Sequence, residues 1–146
     1  MSASNPVRIG LATFAGSIVL FIAGYAIWGF LLGHYFAANE LAYPGLSRQP
    51  PDLVMLFASN VIFALLLTII FERWASVRTP LAGLAAGGMV GALIHLGFEL
   101  SILGYMNLYR SVAPVLVDVI AEAVRTALAG AVVGVVLGWH RQATAP

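Results

Sequence analysis

The sequence predicts an all-α protein: a four-transmembrane-helix bundle, antiparallel in up-down-up-down order, with N- and C-termini cytoplasmic. Three observations carry that prediction. The chain of 146 residues is 61% hydrophobic and 9% charged, whereas the outer shell of a water-soluble domain must be largely polar. Four apolar runs, Ile9 to Gly33, Leu53 to Phe71, Leu81 to Tyr105 and Val112 to Trp139, approach or exceed the roughly 20 residues that cross a bilayer. Each run also follows a helix-start signal.

These signals define the elements in order. Asn5-Pro6 opens a helix expected over about 6–33, and Pro51-Asp52 one over about 52–73. Thr79-Pro80 opens the third, about 80–107, and Ser111 with Pro114 the fourth, about 112–139. Each joins a capping side chain to a proline in or near the first turn, where a missing N–H is harmless. One integral membrane domain over 1–146 is expected. The first run is longer than a signal-peptide core and leads into an aromatic tract, so a retained span is expected. "HYFAANELAYPGLSRQPPD", from His34 to Asp52, is the one long connection. It reads as a linker with interfacial anchors, or as a segment lying on the membrane or capping the bundle. The other connections are short, which makes the second and third, and the third and fourth, helices antiparallel neighbours.

Orientation comes from arginine, since the chain has no lysine. With the N-terminus inside, Arg8, Arg73, Arg78 and Arg141 are cytoplasmic, against Arg48 and Arg110 outside, as the positive-inside rule favours. Trp139 and His140 then lie at the inner interface, and Tyr35, Tyr43, Tyr105 and Tyr109 near the outer one. Glu72, Arg73 and Arg78 read as a solvated inner turn. The absence of cysteine excludes disulfide and thiolate chemistry, and a net charge of +1 supplies no basic patch for nucleic acid.

The stretch "IHLGFEL" places His95 and Glu99 inside an apolar run. Read at four-residue spacing, their row is Gly83, Gly87, Gly91, His95, Glu99. The last run gives Asp118, Glu122, Thr126, Gly130, Gly134, Gly138. Each row is glycine in one half and mostly ionisable in the other, and in antiparallel helices like halves meet. The glycine halves are expected to pack closely in the inner leaflet, and the polar halves to part in the outer one. At about 1.5 Å per residue, Glu99 and Asp118 lie about 10 Å below the outer boundary, His95 and Glu122 about 15 Å, and Arg125 about 20 Å. Asn60 of the second run, and Tyr25 and Trp28 of the first, fall in the same slab. Tyr25 and Trp28 read as packing or interface anchors.

Charged residues at this depth rarely face lipid, since each costs about 2.5–3.5 kcal/mol on insertion scales. Glu99, Asp118 and Glu122 meet one permanent cation, Arg125, which lies three residues past Glu122, and one optional cation, His95. A proton, a bound cation or a partner must offset the remaining negative charge. The leading expectation is an intramembrane cation or proton site at His95, Glu99, Asp118, Glu122, Arg125 and Asn60, used for binding or transport. His95, Glu99, Asp118 and Glu122 suit a divalent cation, and simple binding is favoured over hydrolytic or redox catalysis. A tetrapyrrole on His95, with Gly91 leaving space for the macrocycle and His34 the one available second ligand, is a lesser alternative. The competing reading is an accessory subunit of a larger membrane complex, or a homo-oligomer, whose polar layer serves packing or docking.

The stretch Gly97 to Trp139, with Glu99 late in the third span, Met106-Asn107-Leu108 before the last and Val117-Asp118 early in it, resembles small four-span bacterial inner-membrane proteins of uncharacterised function. That resemblance implies a bacterial inner membrane and the four-helix layout, and carries no catalytic residue.

Overall fold

The computed structural model describes residues 6–139. Asn5, His140 and Arg141 lie outside the described residues. The first helix, α1, spans Pro6–Gly24 and continues as a π-helical stretch over Tyr25–Leu31. The Leu32 N–H donates to the Ile27 carbonyl at 2.7 Å and closes that stretch two residues before the expected end. A second helix, α2 (Gly33–Asn39), then occupies the start of the long connection, which the sequence reading treated as a linker or a surface segment. Its pattern is too short to stand out as a helix without tertiary support. The helix α3 covers Leu53–Ile69 and runs on as a π-helical stretch Ile70–Ala75. Ser76, with φ 50°, ends it in the left-handed region. The remaining helices are α4 (Pro80–Tyr105) and α5 (Ala113–Gly138). Four of these helical segments are long and apolar enough to cross a membrane: Pro6–Leu31, Leu53–Ala75, Pro80–Tyr105 and Ala113–Gly138.

Two of the proposed caps are in place. The Asp52 carboxylate accepts from the Val54 and Met55 N–H groups, and the Thr79 hydroxyl from the Ala82 N–H. Ser111 does not cap α5. Val112 holds the cap position there with no side-chain bond, and Pro114 in the first turn removes one of the orphan donors.

The principal helix pairings are α4 with α5, α1 with α5 and α1 with α3. Thus α1 sits between α3 and α5. The α3 and α4 helices, expected to be close neighbours because a short turn joins them, make no comparable pairing. Leu67 of α3 and Phe71 of its π-helical continuation pack with Ala12, Val133 and Leu137 in the main apolar core, beside Val77 of the turn. Leu20, Ala64 and Ala129 form a second core. Buried hydroxyls on Ser17, Thr68 and Thr126 are satisfied by carbonyls of their own helices. Large apolar side chains on every long helix, among them Phe14, Ile62, Leu93 and Ile120, point outward, compatible with lipid contact.

The α4–α5 contact is made by backbone. A Cβ on Gly83 would strike the Gly130 carbonyl oxygen, and one on Gly130 the Gly83 carbonyl oxygen. Gly87 faces the Thr126 carbonyl, Gly134 the Thr79 carbonyl and Gly138 the Arg78 carbonyl. Residue numbers rise along α4 as they fall along α5, so these two helices are antiparallel. Beyond this contact, the Glu72 side chain is 5% exposed and pairs with Arg8 at 2.8 Å and Arg78 at 2.7 Å. What reads in sequence as a solvated turn is therefore a buried ion cluster joining the start of α1, the end of α3 and the start of α4, while Arg73 is exposed.

Gly83→Ala is expected to lower unfolding stability by about 1–3 kcal/mol, because the added methyl meets backbone that cannot step aside. Gly97→Ala, on the same helix with nothing near its Cβ position, should change stability by less than about 1 kcal/mol, in the stabilising direction. Unfolding of the detergent-solubilised variants followed by circular dichroism checks both, and equal effects would remove the special role of the contact.

Candidate functional site

The polar half of the α4–α5 pair begins where the glycines stop. Gly91 accommodates the Thr126 side chain. One turn further along α4, His95 reaches across to α5, with its Nε2 at 2.6 Å from Asp118 Oδ2. Glu99, another turn on, brings Oε1 to 3.8 Å from the same nitrogen. Asp118 is closed from α1 as well, since the Trp28 indole N–H donates to its Oδ1 at 2.6 Å. The π-helical stretch that holds Trp28 fits here, as such stretches are enriched at functional sites.

A second group lies on the α3 side. Arg125 Nε is 3.2 Å from Glu122 Oε2, the expected pair within α5. The Arg125 terminal nitrogen donates to Asn60 Oδ1 at 3.1 Å, and the Asn60 amide donates to the Leu56 carbonyl. The guanidinium also lies over the Trp28 ring, 5.4 Å from its centroid, within cation–π range. Trp28 thereby joins the two groups, and all four long helices contribute. Tyr25, placed by sequence in the same slab, is exposed and packs edge-on against Phe30.

Among the described residues, His95, Glu99 and Asp118 form the cluster that could hold a metal ion, each offering a ligand atom with all of them within 4.8 Å of one another. Two carboxylates and an imidazole suit a hard or borderline cation. Glu122 is not in this cluster and faces Arg125 instead. Glu99 is 3% exposed, and its Oε2 is buried with no hydrogen-bond partner. The tetrapyrrole alternative meets an obstacle: the Thr126 side chain fills the space at Gly91.

Above Asp118, the long connection folds over the bundle. Glu40 and Tyr109 face each other in an antiparallel bridge, with Leu41 N–H to Leu108 carbonyl at 2.8 Å and Arg110 N–H to Asn39 carbonyl at 2.9 Å. The Tyr43 hydroxyl donates to the Asn107 carbonyl at 2.6 Å. Beneath this bridge a cavity of about 360 Å³ is lined by Trp28, Phe36, Glu40, Tyr109 and Asp118, together with Gly33 and Ala37. Burial, and then the charge of Asp118, hold the Glu40 carboxyl above its usual range. Burial, followed by the charges of Glu99, Asp118 and Glu40, raises the Tyr109 phenol.

Sequence reasoning missed Glu40, Phe36 and the part played by Tyr109, and it underrated Trp28. An acid amid the aromatics of "HYFAANELAY" was the available signal. Comparison with protein-family models, with curated proteins and with solved structures gives no match for this chain.

Trp28→Phe, which keeps the ring but removes the donor to Asp118, is expected to destabilise by about 1–3 kcal/mol. Trp74→Phe, at a side chain 76% exposed, should be neutral in the same unfolding assay. Because the Glu40 pKa is raised on folding, stability attributable to Glu40 is present below its unfolded pKa and lost as pH rises through its folded one. Glu40→Gln is therefore expected to raise the unfolding midpoint at about pH 8 and to leave it unchanged at about pH 4, which midpoints measured across that range check.

Proposed function

We propose that the protein is an integral membrane protein in which His95, Glu99 and Asp118 bind a cation or a proton. In this reading Glu122, Arg125 and Asn60 hold the charge balance and geometry of the neighbouring layer. One observation carries it: the buried Glu99 carboxylate has an oxygen without a hydrogen-bond partner, beside a second carboxylate and an imidazole. An ionised carboxylate in an apolar interior needs a counter-charge or a proton. Arg125, the permanent cation of the layer, is engaged by Glu122, Asn60 and Trp28. A protonated His95 offsets one further negative charge and leaves one of the three for an occupant, whereas a neutral His95, the form that can ligate a cation, leaves two.

The arginine distribution supports cytoplasmic termini and an up-down-up-down course through the bilayer. The resemblance of Gly97 to Trp139 to four-span bacterial proteins supports the inner membrane. In that orientation the site lies in the outer half and opens outward beneath the Glu40–Tyr109 bridge. The glycine contact and the apolar core occupy the other half.

Thermal unfolding of the purified protein against a panel of cations and pH values, with Glu99→Gln in parallel, tests the reading. A cation occupant raises the wild-type midpoint, by about 2.7 kcal/mol of stability at a hundred times its dissociation constant, and leaves Glu99→Gln unmoved. A proton occupant makes the wild-type midpoint rise as pH falls, more steeply than that of Glu99→Gln, which keeps only the Glu40 contribution. If no cation matters, the two pH profiles run parallel and Glu99→Gln is neutral or stabilising, the reading fails, and the layer is a packing clamp in an accessory subunit or homo-oligomer. Flux of the stabilising ion into liposomes containing the protein alone then separates transport from binding.

A further inference from the structure

We propose that the cavity above Asp118 receives a small organic cation, an alkylammonium group held between the Glu40 and Asp118 carboxylates and walled by Trp28, Phe36 and Tyr109. This rests on the cation-site reading above and names a ligand class for its entrance. The volume, about 360 Å³, is an order of magnitude larger than the ~30 Å³ share of one water in the liquid. It lies within the range of about 300–1,000 Å³ common for small-molecule sites. A bare metal ion needs closely spaced donor atoms, which the His95 cluster offers and aromatic walls do not.

The lining chemistry selects charge. Among the described residues, no arginine or histidine lines the cavity and two carboxylates do, so an anion finds no cationic partner among them. Aromatic faces attract cations through the ring quadrupole, and quaternary ammonium groups are recognised in this way elsewhere. Capacity remains on Asp118. It accepts once on each oxygen, from Trp28 and from His95, and a carboxylate has about four lone-pair directions. Glu40 lies partly buried at the rim and also lines the adjoining surface groove beside Tyr43 and Leu46, which makes it the first carboxylate an entering cation meets. A cation lodged between Glu40 and Asp118 removes the repulsion between them.

The test uses the full chain carrying Trp74→Phe and Trp139→Phe, two exposed positions, so that Trp28 is the sole emitter. The detergent-solubilised protein is titrated with tetramethylammonium chloride against sodium chloride at matched ionic strength. A saturable change in Trp28 emission specific to tetramethylammonium is expected. Tyr109→Leu and Glu40→Gln should each weaken it about tenfold, whereas Tyr109→Phe keeps the ring and the affinity. Circular dichroism reports folding, and Glu40→Gln decides the matter if Tyr109→Leu does not fold. Absence of a saturable signal, an equal response to sodium, or wild-type affinity in Glu40→Gln overturns the proposal. If Glu99-dependent stabilisation by inorganic cations or protons persists without a tetramethylammonium signal, the organic cation is excluded and the deeper site stands. Loss of both removes both.

Discussion

The backbone approach of Gly83 to Gly130 fixes the register of α4 against α5, and the polar groups take their places from that register. Both helices carry their small residues on a four-residue ridge, which lets carbonyls of one helix lie against Cα atoms of the other. Once Gly87 faces Thr126, the next turns of α4 must present His95 and Glu99 to the half of α5 that carries Asp118 and Glu122. A side chain at Gly83 or Gly87 would push α4 away from α5 and lengthen the His95–Asp118 contact between them. The glycines are thus part of the site without touching anything polar in it.

Charge explains why the layer is so heavily cross-linked. An ionised residue near the middle of a membrane helix costs about 2.5–3.5 kcal/mol on insertion scales, and a polar contact between such helices returns about 0.6 kcal/mol on average. The network from Asn60 through Arg125 and Trp28 to Asp118 and His95 consequently gives nearly every acceptor a donor. Glu99 Oε2 stands outside this economy. The buried cluster of Arg8, Glu72 and Arg78 follows the same physics at the other end of the bundle, where two guanidinium groups share one carboxylate.

The parts legible in sequence were those written in periodicity. Four apolar runs, the caps at Asp52 and Thr79, and the paired rows through Gly83 and Gly130 all follow from spacing along a single helix. Asn60 and Arg125 stood out because polar residues in apolar runs need a reason. The rest depends on contacts between distant segments. Trp28 looked like an interfacial anchor because a regular helix does not reveal the π-helical stretch that turns its indole toward Asp118. Glu40 and Tyr109 lie in separate connections, and no local pattern announces a bridge of two residues. Glu72 looked solvated since Arg8 arrives from the distant start of α1 and the turn folds Arg78 back onto the same carboxylate.

The two ends of the molecule therefore do different work with similar residues. At the Glu72 end, the acid is outnumbered by its cations, and the glycine contact and the apolar core lie directly behind it. At the Glu99 end, Glu99, Asp118 and Glu122 outnumber the one guanidinium among them, Arg125, and an open cavity beside Asp118 is bordered by Glu40 and Tyr109 of the bridge. An excess of acid adds little to packing, because each unpaired carboxylate works against burial. On the proposed reading it becomes useful when a positively charged occupant enters, since an acid left without an internal partner then contributes to holding that occupant. The cavity, the orphaned oxygen and the charge imbalance coincide at one end of the bundle, whereas the glycine contact, the apolar core and the Arg8–Glu72–Arg78 cluster fill the other.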